Sequence, residues 1–461
     1  MPGSSSNSDS KGVVLFIATL SAFLTPLMGS AINIALPVIG KEFALNAIVL
    51  SWVASSYILA AAMFLVPFGR LADIHGRKRI FTWGILIYTV ASFLCGMAQS
   101  ATSLIVFRLM QGLGGAMIFG TGVAILTAVY PPGERGRALG INVAAVYLGL
   151  SLGPLVGGFL TQHFGWRSVF YANVPLGLII VVMVLWKLKG EWAEARGEKY
   201  DRTGAAIYVL TIVSVMGGLS ILPRLSGAAL ILIGIAGLVA FVRWELKAQH
   251  PVLSMDLFRH NTVFAMSNLA ALINYSATFA SGFMLSLYLQ YIKGFNPRDA
   301  GLILVAQPVM MALLSPFAGH LSDRIESRVV ASLGMAVTVA GTVMLIFLGP
   351  GTSDGYIIIS LLILGVGFGL FSSPNTNAIM SSVERKSLGV AAATLGTMRL
   401  TGQTLSMGMA TVLFAVFVGT VQITPEVYPQ FLASVRTSFV IGSVVCFAGI
   451  FISLARGKVR A

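Results

Sequence analysis

Apolar residues run along this chain in long blocks, without the two-residue alternation of strands or the narrow stripe of a surface helix, and short polar clusters separate the blocks. Fourteen blocks are long enough to cross a bilayer core of ~30 Å as helices. They cover residues 12–39, 48–68, 80–99, 104–130, 138–161, 168–188, 203–223, 227–243, 262–291, 300–318, 329–349, 355–380, 388–418 and 433–455. In the fifth block Gly149, Gly153 and Gly157 recur every four residues, with Pro154 and Gly158 beside them and Gly140 nine residues ahead. That spacing puts the three glycines on one helix face. In water each interior glycine costs about 1 kcal/mol. In lipid a groove without side chains admits another backbone, and neighbouring helices re-satisfy the hydrogen bond that Pro154 breaks. The stretch alone leaves two readings open, a static helix contact or a sliding seam.

The second half of the chain repeats the first. Gly69-x-Leu71-x-Asp73 returns 250 residues later as Gly319-x-Leu321-x-Asp323, and Glu134-Arg135 returns at the same offset as Glu384-Arg385. Arg137-Ala-Leu-Gly140 becomes Lys386-Ser-Leu-Gly389, and Gly153 becomes Gly402, both 249 residues on. The expected organisation is a polar, disordered tail (1–11), a six-helix bundle (12–188), a linker carrying two extra membrane helices (189–261), a second six-helix bundle (262–455) and a short tail (456–461). Parallel halves of this kind are one build of secondary transporters.

Composition narrows the class. With 56% hydrophobic and 10% charged residues and a mean hydropathy of +0.88, the chain is an all-α integral membrane protein with the lipid bilayer as its surroundings. The net charge of +14 suggests nucleic acid until its placement is read. If the first block enters from the cytoplasm, 22 of the 30 basic residues fall on the cytoplasmic side, while Lys41, Arg167, Arg224, Lys293 and Arg298 fall outside. This is the positive-inside bias: it predicts a cytoplasmic membrane protein with both termini inside and no nucleic-acid partner. Cys95 and Cys446 both lie in apolar blocks, so neither a disulfide nor a metal site is expected, and no cofactor is implied.

Candidate chemistry is sparse. All sixteen acids fall in loops, tails or helix ends. The charges placed deep in the blocks are Arg108, with Gln111 on its helix face, and Arg399, with Gln403 on its face. Such a guanidinium is either tied to backbone carbonyls and a nearby tyrosine or faces a substrate cavity. Other polar residues in the blocks, Asn33, Tyr57, Asn142, Tyr147, Asn274, Gln307 and Asn375, describe an uncharged polar lining or interhelical hydrogen bonds. Pro374-Asn375-Thr376-Asn377 is the expected place for local unwinding. In the loop Gly69–Arg79, Asp73 is placed to cap the following helix and to pair with Arg77, while Gly76 serves the turn. Asp323 repeats Asp73, but Glu326-Ser327 replaces the glycine that Gly76 supplies. No block carries a metal-ligand cluster, a carboxylate pair or a Ser/His/acid set, which weighs against a membrane-embedded enzyme or receptor scaffold.

These motifs carry a resemblance. Gly69–Arg79, Arg108–Gly115, Gly140–Gly158, Trp166–Pro175 and the ending Asn33-Ile-Ala-Leu-Pro37 are similar to the signatures of the major facilitator superfamily, and specifically its fourteen-helix drug:H⁺ antiporter branch. The resemblance implies a monomeric transporter that exports amphipathic small molecules by alternating access. It implies that the fourth and thirteenth spans line the cavity, that the Gly69–Arg79 loop latches the cytoplasmic gate through a close glycine contact with the other half, and that the glycine ruler faces the tenth span. The branch usually has an Asp five residues before the asparagine of its Asn-x-Ala-Leu-Pro ending. Here that position is Met28, which opens a second reading, export of a neutral or anionic metabolite or lipid without carboxylate-mediated proton coupling, with protons only one candidate partner.

Overall fold

The computed structural model describes residues 5–188, 190–249, 251–253, 255–384 and 388–457, without the side chains of 5–10, 132, 133, 135–137, 256, 323, 388 and 389. Fourteen helical segments among them are long and apolar enough to cross a membrane. These are α1 (Lys11–Glu42), α2 (Ala47–His75), α3 (Arg77–Gly96), α4 (Ala101–Val129), α5 (Ala138–Phe164), α6 (Arg167–Lys187), α7 (Arg202–Ile221), α8 (Leu225–Glu245), α9 (Thr262–Ile292), α10 (Pro297–Ser322), α11 (Ser327–Ile346), α12 (Asp354–Ser381), α13 (Val390–Phe417) and α14 (Pro425–Ala455). Segments α1–α6 form one bundle and α9–α14 a second, and the α7–α8 hairpin lies against α2 and α13.

Small residues set the helix contacts. A Cβ on Gly84 of α3 would lie 3.1 Å from the Gly114 carbonyl of α4. A Cβ on Gly334 of α11 would lie 2.7 Å from the Gly367 carbonyl of α12. Gly84 and Gly334 are themselves 250 residues apart, so the repeat read from the loops extends into the helix interfaces. Gly218 and Gly227 join α7 to α8 in the same way. In lipid, where helix association draws on close contact rather than on the hydrophobic effect, such steps hold a bundle together.

Two expectations are corrected. The first helix begins at Ser5, inside the expected disordered tail, because residues 5–10 hold no proline and extending an existing helix needs no new nucleus. The Pro374–Asn377 stretch is continuous helix. Its asparagines bond other helices instead of their own backbone, Asn375 to the Ser267 carbonyl at 3.1 Å and Asn377 to Ser322 Oγ at 3.0 Å. Interruptions fall instead in α6 at Ala172, in α10 at Val305 and in α9, which breaks after Thr278 and ends in a π-helical turn at Tyr288–Ile292. At the break the Ala280 amide donates to Ser406 Oγ of α13 at 3.0 Å.

The halves are fastened at the face opposite the termini. There Ser286 Oγ donates to the Asn33 carbonyl (2.5 Å), Gln290 Nε2 to the Ile34 carbonyl (3.0 Å) and Gln422 Nε2 to the Ala44 carbonyl (3.1 Å). At the termini face the described ion pairs Lys11–Glu134, Asp73–Arg77, Arg77–Glu194 and Arg70–Glu198 lie within the first half and the linker.

Candidate functional site

The two membrane arginines occupy different environments. Arg108 on α4 is 1% exposed. Its Nε donates to the Val53 carbonyl (3.2 Å), Nη2 to the Ala54 carbonyl (3.4 Å) and Nη1 to Gln111 Oε1 (2.8 Å), while Gln111 Nε2 donates to Ser92 Oγ (2.8 Å). The guanidinium also lies 5.0 Å from the Tyr57 ring centroid. Gly112 makes this approach possible, since a side chain there would collide with the Tyr57 carbonyl. The charge is therefore enclosed within the first half, on carbonyl dipoles and a ring face.

Arg399 on α13 is half-buried and reaches across the halves, with its guanidinium 5.7 Å from the Phe119 ring of α4. Its Nε is buried without a hydrogen-bond partner. Nearby, Tyr147 of α5 meets Ser372 Oγ of α12 at 2.9 Å, a second link between halves at mid-depth. Arg399 thus has aromatic and hydroxyl neighbours from both bundles and one donor to spare.

The remaining polar candidates divide. Asn142 Nδ2 donates to the Ala18 carbonyl (3.1 Å), and Asn274 Nδ2 is 3.9 Å from Cys446 Sγ, both within one half. Asn33, Gln307 and Gln403 are half-buried. Met28 is 1% exposed, and its sulfur accepts from Asn173 Nδ2 at 3.0 Å. Asn375 belongs to a centre absent from the sequence reading. Arg456, the first residue of the short tail expected at 456–461, is fully buried and donates to Asn375 Oδ1 (2.8 Å), Ser267 Oγ (3.1 Å), Ser453 Oγ (3.0 Å) and the Ser327 carbonyl (3.2 Å). It pins α14 to α9, α11 and α12. The serines at 267, 327 and 453, each at a helix end or face, were the only signal.

The loop between α2 and α3 is held by the linker. Arg77, 6% exposed, pairs with Asp73 (2.8 Å) and takes Glu194 on Nη1 and Nη2 (2.8 and 3.0 Å). Asp73 does not cap α3. That position belongs to Glu191, whose carboxylate accepts from the amides of Lys78 (2.8 Å) and Arg79 (3.2 Å). The linker is bonded to the loop backbone, with Ala195 N donating to the Asp73 carbonyl (3.0 Å) and Arg77 N to the Trp192 carbonyl (2.8 Å), and this brings Glu191 to the α3 amides while the Asp73 carboxylate is taken by the Arg77 side chain. Gly76, at φ +112°, has the Glu191 carboxylate where a Cβ would sit. Gly69 has no atom within 4 Å of such a position. The Asp323 side chain lies outside the described residues. Arg77→Ala should lower stability by about 1.5–3 kcal/mol, because it removes a buried guanidinium with its hydrogen bonds to Asp73, Glu194 and the Ala124 carbonyl. Glu194, largely exposed, should cost less than about 1 kcal/mol on mutation to Gln. Thermal unfolding and proteolysis within residues 190–200 measure both.

The glycine ruler faces α1, which corrects the expectation that it faces the tenth span. Gly149 abuts the Phe23 carbonyl, Gly153 the Leu27 carbonyl (2.8 Å from a Cβ) and Gly157 the Ala31 carbonyl (2.6 Å). A row of carbonyls spaced by four on α1 thus meets glycines spaced by four on α5. Pro154 and Gly158, one residue further round, face α10: Gly301 abuts the Pro154 carbonyl, and a Gly158 Cβ would lie 2.7 Å from the Pro297 carbonyl.

Two parallel helical bundles, joined at one face and meeting at mid-depth around polar groups, are the build of a membrane transporter. The Major Facilitator Superfamily profile matches residues 18–267 and 267–460, and the chain belongs to that family. Among its relatives, a protein of Clostridioides difficile (strain 630) named riboflavin transporter RibZ is 30% identical, covering 96% of this chain and 97% of that one. The multidrug resistance protein Stp of Mycobacterium tuberculosis is 30% identical over 86% of this chain and 75% of its own. The fold is similar to the inward-facing, unoccupied crystal structure of a bacterial homolog of the human lysosomal transporter Spinster, with a TM-score of 0.69, 16% identity and 97% coverage of both chains.

Proposed function

We propose that this protein exports amphipathic organic compounds of neutral or anionic character by rocking of its two halves. The observation that carries the reading is Arg399, a guanidinium between the bundles with a buried, unpartnered Nε beside Phe119. A substrate carboxylate, phenolate or carbonyl is a natural acceptor for that donor, and the flanking rings of Phe119, Tyr57 and Tyr147 suit a flat apolar body. Met28, where an acid would draw cations, supports the same charge preference. A relative named for riboflavin and another named for multidrug resistance both fit an amphipathic substrate.

Positive-inside placement puts the termini in the cytoplasm of a cell membrane. The face joined by Ser286, Gln290 and Gln422 is then the outer one, and the arrangement described is inward-facing. The Asp73–Arg77–Glu194 set holds the inner loop within the first half in this state, with Gly69 left free to meet the other half in the next one. Coupling to protons would need a group other than a carboxylate at the centre, since arginine titrates far too high.

Reconstituted protein supplied with matched cationic and anionic fluorescent compounds, with and without a pH gradient, tests this. Anion transport should exceed cation transport and fall at least tenfold in Arg399→Gln, equivalent to about 1.4 kcal/mol. Strong gradient-driven transport of a permanent cation, indifferent to Arg399→Gln, would overturn it.

A further inference from the structure

The base of the α7–α8 hairpin holds two carboxyl groups aimed at one point. Glu245, the last residue of α8, is 3% exposed. Its Oε2 accepts from the Leu253 amide at 2.9 Å, but its Oε1 is buried with no hydrogen-bond partner. That bare oxygen and Asp201 Oδ2 are each 2.5 Å from the place a Cβ on Gly204 would occupy. Asp201 caps α7: its Oδ1 accepts from the Gly204 amide (2.9 Å) and its Oδ2 from Trp244 Nε1 (2.7 Å).

Glu245 faces Asp201 with one oxygen empty-handed. Among the described residues the cation that also acts on this site is Arg70 of α2, and its guanidinium is already paired with Glu198 of the linker. Two anions side by side, with Glu245 buried and Asp201 half-buried, are costly, whereas one proton turns the repulsion into a hydrogen bond. We propose that Asp201 and Glu245 form a proton-binding site, with the proton on Glu245 Oε1 directed at Asp201 Oδ2.

The site stands where the moving parts are tied together. Leu253, held by Glu245, is buried with Val66 of α2, Tyr208 of α7 and Phe241 of α8. Tyr208 Oη donates to the Ala62 carbonyl of α2 at 2.9 Å, and Phe258, beyond Leu253, stacks edge-on against Phe264 of α9 at 5.2 Å. Release of the proton sets two carboxylates against each other at the base of the hairpin, so the hairpin's hold on the first half becomes dependent on pH.

Infrared difference spectra of the purified full-length protein, titrated with pH in the absence of any substrate, read the proton directly. The wild type should lose one protonated-carboxyl band as pH rises. Glu245→Gln should lack the band, and Asp201→Asn should keep it with its midpoint moved to lower pH, because removing the neighbouring anion eases ionisation of Glu245. Hydrogen exchange at residues 201–208, the start of α7 that Asp201 caps, should change at the midpoint in the wild type and stay flat in Glu245→Gln. A band that survives in Glu245→Gln, or a wild type without one, would overturn the proposal and leave Glu245 as an anion that only anchors Leu253.

Discussion

Gly301→Leu and Gly158→Leu should give folded, membrane-inserted protein with transport reduced about a hundredfold, whereas Gly153→Leu and Gly157→Leu should fail to accumulate as folded protein. The difference lies in what each glycine touches. Gly153 and Gly157 rest on the Leu27 and Ala31 carbonyls of α1, inside one bundle that moves as a unit. A side chain there is an overpacking defect in every state of the cycle: at Gly153 it meets the Ser30 hydroxyl with the Leu27 carbonyl behind it, and at Gly157 the Ala31 backbone, so no rotamer of the leucine relieves it. Gly301 and Gly158 rest on the opposite half, at the face where the bundles are joined. Their contact belongs to the arrangement closed at that face, so a leucine costing about 3 kcal/mol destabilises one conformation against the other by roughly two decades. Membrane yield and thermal unfolding separate the two outcomes, and accessibility of a cysteine placed at Ser286 reports the opened seam. Wild-type transport in Gly301→Leu would remove this contact from the cycle.

The same glycines show how far the sequence can be read. Their spacing gave the face and the closeness of the contact, because four-residue periodicity is a property of one helix. It did not give the partner. That depended on the Phe23, Leu27 and Ala31 row of α1, whose side chains carry no mark of the carbonyls between them. Fourteen apolar blocks and a repeat at 250 residues made the fold legible, since crossing length and internal symmetry are linear features. Hydrogen bonds between distant segments were not legible. The sequence pointed to Asp73 as the cap of α3, and only the folded linker brings Glu191 to that place, just as the break in α9 is stabilised by Ser406, 126 residues away. Arg456 read as one more basic tail residue, because only the folded bundle assembles Asn375 with the three serines around it.

Arg108→Gln should lower the unfolding temperature and reduce transport of anions and cations alike, while Arg399→Gln should leave the unfolding temperature unchanged and lower anion transport selectively. Both arginines looked alike in the sequence, each three or four residues from a glutamine within an apolar block. Arg108 spends its donors on Val53, Ala54 and Gln111, and shortening it leaves a buried Gln111 oxygen bare, at about 1.5–3 kcal/mol for a lost bond to a charged group. Lysine should not restore it, because a point ammonium cannot reach three acceptors that a planar fork spans. Arg399 retains a free donor between the halves, so its loss removes little from the resting fold and much from a substrate that borrows that donor. Thermal unfolding of both variants, beside uptake of matched charged compounds, decides the assignment. If Arg108→Gln keeps the wild-type unfolding temperature and alone abolishes anion transport, the substrate-facing charge is Arg108, and the central site shifts from the α4–α13 seam into the first bundle.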